Sequence, residues 1–173
     1  DGLNREITRE LQQNPQNARA LAQRGEVRLH LGQTQEGLAD LRRSIELQDD
    51  PRTRTLLAER LLDGLRIDFA ANRQTAHEIE GLIADSRQRL ELHSLLAAGM
   101  TAAGERAAAW NEYLKLSTLN DDLAQTVSVG DDTAARGDRW LAALMSESYL
   151  AAGRDEQAEM ERAADRRLDE ILV

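Results

Sequence analysis

Apolar residues recur at intervals of three or four along most of this chain. The shortest example is Leu3, Ile7 and Leu11, which are spaced four residues apart. This spacing places the three side chains on one face of an α-helix. Comparable stripes follow in 90–103 and 140–152, whereas runs rich in β-branched and aromatic residues, which favour strands, are scarce. The pattern therefore predicts an all-α protein.

Two proline signals mark out the first third of the chain. Asn14-Pro15 and Asp50-Pro51 lie 36 residues apart, and each puts a favourable N-cap residue before a proline, which is tolerated at the first position of a helix. Between them, Gly32 separates two helix-length pieces and can adopt the left-handed conformation that ends a helix. A period of about 34 residues that contains a helix–turn–helix is typical of helical repeats. We predict a helical hairpin between the two prolines.

This hairpin resembles a tetratricopeptide repeat (TPR). The residues that carry the resemblance are its large apolar, glycine and other small positions: Leu21, Arg24-Gly25, Val27, Leu29, Gly32, Glu36-Gly37, Leu41, Ser44 and Ile45. In this family, small residues stand where the two helices approach closely, and Gly25 and Gly37 occupy such positions here. Two positions depart from the pattern, because Arg28 stands where an aromatic residue is usual and Gly37 replaces the usual alanine.

The second hairpin is looser. Its first helix is predicted to begin at Pro51 and to carry apolar residues as far as Phe69. Asn72 is expected to end that helix in the left-handed region. Thr75 and Glu78 have the spacing of a capping box, which predicts the start of the second helix.

The rest of the chain yields two more hairpins and one interruption. The third hairpin begins near Ser86 and turns at Gly104, and the last turns at Gly153. The resemblance implies a right-handed α-solenoid of about four TPR-like hairpins with a leading helix. Its predicted parts are a leading helix over 1–13, which is a cap or a truncated repeat, three TPR-like hairpins over 14–119, an Asp-rich loop or insertion over 120–137, and a final TPR-like hairpin over 138–173.

A second resemblance is confined to one short segment. The run Arg139-Trp140-Leu141-Ala142 follows a Gly-Asp loop and is similar to the helical-repeat segments attached to PQQ-like β-propellers in large bacterial proteins. This resemblance implies a longer bacterial protein, in which the solenoid would have an intramolecular neighbour domain.

Charge and composition exclude several classes of protein. The chain has 22 Lys and Arg against 31 Asp and Glu, a formal net charge of −9, which argues against nucleic-acid binding because that needs clustered positive charge. It has no cysteine, so disulfides, thiolate nucleophiles and Cys-based metal sites are excluded. No apolar run approaches the roughly 18–20 residues of a membrane span. None of these features fixes the compartment.

The residues that could perform catalysis or bind a metal are not arranged for either task. His30, His77 and His93 lack the spacing to a second histidine or carboxylate that metal sites use, and we interpret His93, on an apolar stripe, as a core or half-buried histidine. The paired aspartates do not form a calcium loop, and neither a nucleophile elbow nor a phosphate-binding loop is present. We predict no enzyme activity, no cofactor and no metal site. The alternative is an acidic pocket, formed if the 120–137 loop folds over a binding groove.

The remaining candidate is the concave groove that the first helices of stacked hairpins line. The resemblance implies that the partner-binding residues of this groove include Arg19, Glu26, Leu29, His30, Glu91 and Ser94. Ala22 and Glu26 stand where the carboxylate-clamp variant of the family has Lys and Asn, so a peptide C-terminus is not the expected ligand. The alternative is that these residues form only a solvated helix face.

Two functions fit this pattern. The first is a non-catalytic protein–protein interaction module that binds a peptide or the surface of a partner protein in the groove. The second is a structural spacer or docking platform within a multidomain chain that carries a β-propeller. The repeat pattern and the lack of a catalytic arrangement favour both over an enzyme, and we predict the first.

Overall fold

The structure is a computed structural model, and it describes the backbone of residues 2–126, 145 and 149–171. The regular elements in these ranges are α1 (Gly2–Gln13), α2 (Ala18–His30), α3 (Thr34–Leu47), α4 (Pro51–Ile67), α5 (Phe69–Asn72), α6 (Ala76–Leu82), α7 (Ser86–Ala102), α8 (Arg106–Thr126) and α9 (Arg154–Ile171). A 3₁₀ helix, Arg73–Thr75, separates α5 from α6. All secondary structure in the described ranges is helical, so the predicted all-α class is confirmed. The solenoid arrangement stays a prediction.

The chain forms two compact units. Unit 1 is Asp1–Gly64 with Gly81–Ile83, and unit 2 is Leu65–Glu80 with Ala84–Val173. Each unit has a hydrophobic core of its own. One buried apolar cluster of unit 1 consists of Ile7, Leu11, Ala20 and Leu21, with Val27 and Leu47 packed against it. One buried apolar cluster of unit 2 consists of Ala97, Ala109, Tyr113 and Leu116, with Leu90, Met100 and Met145 packed against it.

The leading helix is present, but the predicted helix start at Asn14-Pro15 is wrong. Pro15 lies in a turn, and α2 begins at Ala18 with Asn17 as its N-cap. The carbonyl oxygen of Asn14 accepts from the N–H of Asn17 at 3.2 Å. The side chain of Asn17 in turn accepts from the N–H of Ala20 at 3.1 Å. A second asparagine thus takes over the cap, because it offers the same acceptor three residues closer to the apolar stripe.

The hairpin of α2 and α3 has the two features that its glycines predicted. Gly32 has a φ of +76°, and the N–H of Gln33 donates to the carbonyl oxygen of Arg28 at 2.9 Å, which closes the end of α2. A Cβ at Gly25 would lie 2.9 Å from the carbonyl oxygen of Gly37, and one at Gly37 would lie 2.9 Å from that of Gly25. The two glycines therefore let the backbones of α2 and α3 touch.

The start of α4 is also confirmed. The carboxylate of Asp50 accepts from the backbone N–H and the hydroxyl of Thr53, both at 2.9 Å. It thereby satisfies a donor of the first turn, which has no partner within the helix. Pro51 opens α4 directly after this cap.

In the second predicted hairpin, which begins at Pro51, the predictions for the end of the first helix and for the start of the second helix are wrong. Asn72 has a φ of −114° and is not left-handed. Thr75 belongs to the 3₁₀ helix and donates its hydroxyl to the carbonyl oxygen of Asn72 at 2.8 Å, so it does not form the capping box. The cause lies earlier, because Asp68 caps the short α5 by accepting from the N–H of Ala71 at 3.0 Å.

Short α5 is held against its neighbours in unit 2 by one aromatic ring. The ring of Phe69 lies so close to Gly99 of α7 that a Cβ there would overlap it. The guanidinium of Arg73 lies 5.7 Å from the centroid of this ring. It also donates to both carboxylate oxygens of Glu105, at 2.6 and 2.9 Å. Phe69 thus attaches α5 to α7, and Arg73 attaches the following 3₁₀ helix to the turn between α7 and α8.

The α7–α8 hairpin keeps its predicted turn. Gly104 has a φ of +78°, and Asp85 rather than Ser86 caps α7. Helix α8 continues without a break to Thr126, so the first residues of the predicted loop over 120–137 are helical. The rest of that range, and most of the first helix of the final hairpin, lie outside the described residues.

Candidate functional site

Four of the predicted binding residues lie on α2. Arg19, Glu26 and His30 are exposed, and their spacings of seven and four residues bring them near one face of the helix. Nδ1 of His30 donates to the carbonyl oxygen of Glu26 at 2.8 Å. Leu29 is half-buried, and its side chain lies against Gly37 of α3. We call the exposed residues Arg19, Glu26 and His30 the α2 face.

The other two predicted residues lie on α7, in unit 2. The carboxylate of Glu91 forms an ion pair with Arg66. The hydroxyl of Ser94 donates to the carbonyl oxygen of Leu90 at 2.8 Å, as serines inside helices often do. Both side chains therefore have local partners, and their membership in one groove with the α2 face stays a prediction.

A pocket of about 310 Å³ opens in unit 1 beside the first turns of α2. Its lining comes from α2, from the end of α3 and from the start of α4: Ala18, Arg19, Ala22, Ser44, Gln48, Asp50, Arg52 and Thr53. The walls are fixed locally, because the buried hydroxyl of Ser44 donates to the carbonyl oxygen of Ala18 at 2.7 Å.

Two arginines and one aspartate set the charge of this pocket. Arg19 and Arg52 are both exposed. Hydrogen bonds from Thr53 lower the pKa of Asp50, with a smaller contribution from the charge of Arg52, so this carboxylate is ionised at neutral pH. Within the described part of the chain, the guanidinium of Arg19 makes no ion pair. The pocket therefore carries one more positive than negative charge.

Of the residues predicted for the groove, those in the lining of this pocket come from α2 alone. Arg19 and Ala22 were expected at the groove, whereas Gln48 and Arg52 were not. A signal for Arg52 was present, because Asp50-Pro51 fixes the start of α4 and thus puts the next residue in its first turn. The missing information was tertiary: the sequence does not say that this turn lies beside α2.

Behind the α2 face, a buried carboxylate joins α2 to α3. Asp40 accepts from Nε and Nη2 of Arg24 at 2.8 and 2.7 Å, and from Nη1 of Arg28 at 2.7 Å. The hydrogen bond with Asp40 raises the pKa of Arg24. The guanidinium of Arg28, the residue that departs from the predicted repeat pattern, thus completes the ion pair with Asp40. No sequence motif indicated it.

A second buried cluster lies between α7 and α8. His93 is only 3% exposed, which confirms the prediction of a core histidine. Its Nδ1 donates to Oε2 of Glu112 at 2.6 Å, and Nζ of Lys115 donates to Oε1 of the same carboxylate at 3.0 Å. The carboxylate that meets His93 comes from the next helix, so the spacing of residues along the sequence did not indicate this pair.

The protonation of Glu112 follows from this setting. Burial by itself raises the pKa of a carboxyl group, but the hydrogen bonds from His93 and Lys115 and their charges outweigh it, so the pKa of Glu112 lies below its ordinary value. A carboxyl group with a lowered pKa in the folded state stabilises the protein above its unfolded-state pKa of about 4.3. That stabilisation is lost as the pH falls through the lower, folded-state value.

Replacing Glu112 with glutamine is expected to lower the free energy of unfolding of unit 2 by about 1.5 kcal/mol at pH 7, because two charge-assisted hydrogen bonds are weakened. The difference from the unchanged protein should shrink as the pH falls below about 4. Urea unfolding followed by tryptophan fluorescence from pH 7 to pH 3 measures it, with the exposed Glu159→Gln as the control. A difference that stays constant over this range would contradict the assignment.

Among the described residues, no three His, Cys, Asp or Glu side chains are grouped as a metal site requires. None of the helices that the structure describes combines the length and the hydropathy needed to cross a bilayer. Comparisons with family models, with curated proteins and with solved structures find no match to this chain.

Proposed function

We propose that this chain is a non-catalytic binding module that holds a peptide, or the surface of a partner protein, at the α2 face and the pocket beside it. The observation that carries the proposal is the pocket, which opens beside α2 and has Arg19 and Ala22 in its lining. Peptides bind to proteins mainly by placing side chains in pockets of a preformed surface. The groove positions of the family pattern point to the same helix.

The packing of unit 1 favours such a role. The close approach at Gly25 and Gly37 and the ion pairs of Asp40 hold α2 and α3 together. The exposed side chains of the α2 face lie outside both of these contacts. A surface that is already rigid loses little conformational entropy when a peptide binds. These side chains are therefore available to a ligand, because the contacts that hold α2 and α3 together do not use them.

The proposal is tested by selecting binders from a library of displayed random peptides and then changing the α2 face. Replacing Arg19, Glu26 and His30 together with alanine is expected to lower the affinity for the enriched peptides by at least about tenfold, which corresponds to about 1.4 kcal/mol of binding free energy. Because these side chains are exposed, the circular dichroism spectrum and the melting temperature should not change. Fluorescence anisotropy of labelled peptides gives the affinities.

The matched control is Arg43→Ala/Glu46→Ala on α3. These residues form an exposed ion pair at i, i+3, so their loss changes charge and helix composition without touching α2. Peptides that bind the triple variant as tightly as the unchanged protein would refute the assignment to the α2 face. Failure to enrich any peptide would refute the binding of a peptide and favour the spacer or docking platform.

A further inference from the structure

We infer that the pocket beside α2 takes the carboxylate of an acidic side chain of the bound peptide, and that Arg19 and Arg52 are its direct partners. This inference rests on the proposed function and deepens it, because it names the chemistry of the ligand. An arginine presents its N–H groups as a planar fork that fits the two oxygens of a carboxylate. Two such forks lie in the lining of this one pocket.

Other arginines of unit 1 differ from Arg19 in having a carboxylate partner. Arg24 and Arg28 donate to Asp40, and Arg54 donates to the carboxylate of Asp49. At least three arginines of this unit thus have carboxylate partners within it. Arg19 lies at a pocket and has no such partner among the described residues. A carboxylate supplied from outside would complete the same arrangement.

The third charged group of the pocket narrows the class of anion. Asp50 is held by Thr53 as the cap of α4 and stays ionised. It leaves a single excess positive charge, which suits one carboxylate and disfavours the multiple charges of a nucleic acid. The formal net charge of −9 on the whole chain acts in the same direction.

The size and the lining of the pocket can accommodate one side chain of a peptide. A volume of about 310 Å³ lies at the lower end of the range for small-molecule pockets. Ala18 and Ala22 give the lining apolar surface against which the methylene groups of glutamate can pack. The amide of Gln48 adds a neutral donor and acceptor to the same lining.

The test uses isotope-labelled full chain and two capped peptides, N-acetylated and C-amidated, that differ only in one glutamate or one glutamine. The glutamate peptide is expected to shift the guanidinium resonances of Arg19 and Arg52 and the amide resonance of Ala22. The glutamine peptide should bind at least about tenfold more weakly. Added salt should lower the affinity for the glutamate peptide, because ions screen a contact between charges at an exposed site.

Three variants locate the contact. Arg19→Ala and Arg52→Ala should each lower the affinity for the glutamate peptide by at least about tenfold. Arg19→Lys should recover part of the loss, because it restores the charge but not the fork. The control is Arg9→Ala, because Arg9 is an exposed residue of α1 outside the pocket lining. This variant should bind the glutamate peptide as tightly as the unchanged chain.

Each other outcome overturns the inference in a recognisable way. If the glutamine peptide binds as tightly as the glutamate peptide, the carboxylate is not what the site recognises. If Arg19→Ala and Arg52→Ala bind the glutamate peptide as tightly as the unchanged chain, the pocket is not the binding site. Inorganic phosphate that shifts the same resonances while the glutamate peptide does not would make this a site for free anions. Selected peptides that need the α2 face but contain no acidic residue would overturn this inference and leave the proposed function standing.

Discussion

Replacing Asp40 with alanine is expected to lower the free energy of unfolding of unit 1 by about 3 kcal/mol. The side chain of Asp40 is 8% exposed, and those of Arg24 and Arg28 are 16% and 23% exposed. Without the carboxylate, two positive charges would remain close together in a site that excludes most of the solvent. Removal of one partner from a buried ion pair leaves charge uncompensated, which is the origin of such large losses.

The measurement must report on unit 1 itself. This unit contains no tryptophan or tyrosine, so fluorescence would follow unit 2, whereas hydrogen exchange of the amides of α2 and α3 follows the hairpin directly. The control is Glu46→Ala, which removes the exposed partner of Arg43 on α3 and should change the free energy by at most about 0.5 kcal/mol. Equal protection of α2 in both variants would show that Asp40 does not hold the hairpin.

Replacing Gly25 with alanine is expected to destabilise unit 1 by about 2 kcal/mol. The new Cβ would lie 2.9 Å from the carbonyl oxygen of Gly37 and 3.0 Å from two side-chain carbons of Leu41. The carbonyl belongs to the backbone, and Leu41 is fully buried, so neither can move aside without separating α2 from α3. The usual gain from alanine in a helix, about 0.5–1 kcal/mol, offsets only part of this strain.

Gly81→Ala provides the matched control. Gly81 also lies in a helix and in unit 1, but it is exposed, and a Cβ there would have no atom within 4 Å. This substitution should therefore stabilise the protein by about 0.5–1 kcal/mol. Hydrogen exchange of the α2 and α3 amides distinguishes the two variants. A Gly25→Ala protein as stable as Gly81→Ala would mean that the two helices do not touch at this point.

The parts of the fold that the sequence predicts are those with a local cause. Gly32 and Gly104 end helices because a left-handed residue is needed there, and glycine adopts that conformation without strain. Asp50-Pro51 starts a helix because both residues suit its first turn. The same reasoning fails at Asn14 and Thr75, where nearby residues compete for the same role. Local rules identify candidates for a cap but do not rank neighbours that offer the same acceptor.

The candidate site depends far more on tertiary contacts. The periodicity of α2 and the family pattern pointed to Arg19, Glu26 and His30, because those signals lie within one helix. Arg52 came from another element, and its place beside the pocket depends on how the start of α4 lies against α2. The partners of Asp40 and Glu112 likewise come from neighbouring helices, so no spacing in the sequence could have indicated them.

The central claim is that unit 1 binds a peptide at the α2 face and its pocket. The most direct measurement is a map of the backbone amide shifts of the labelled chain when a selected peptide is added. We predict that the largest shifts fall on 18–30 and on 48–53, and that they disappear in the Arg19, Glu26 and His30 triple variant. Shifts confined to α7 and α8, or shifts that persist unchanged in the triple variant, would contradict it.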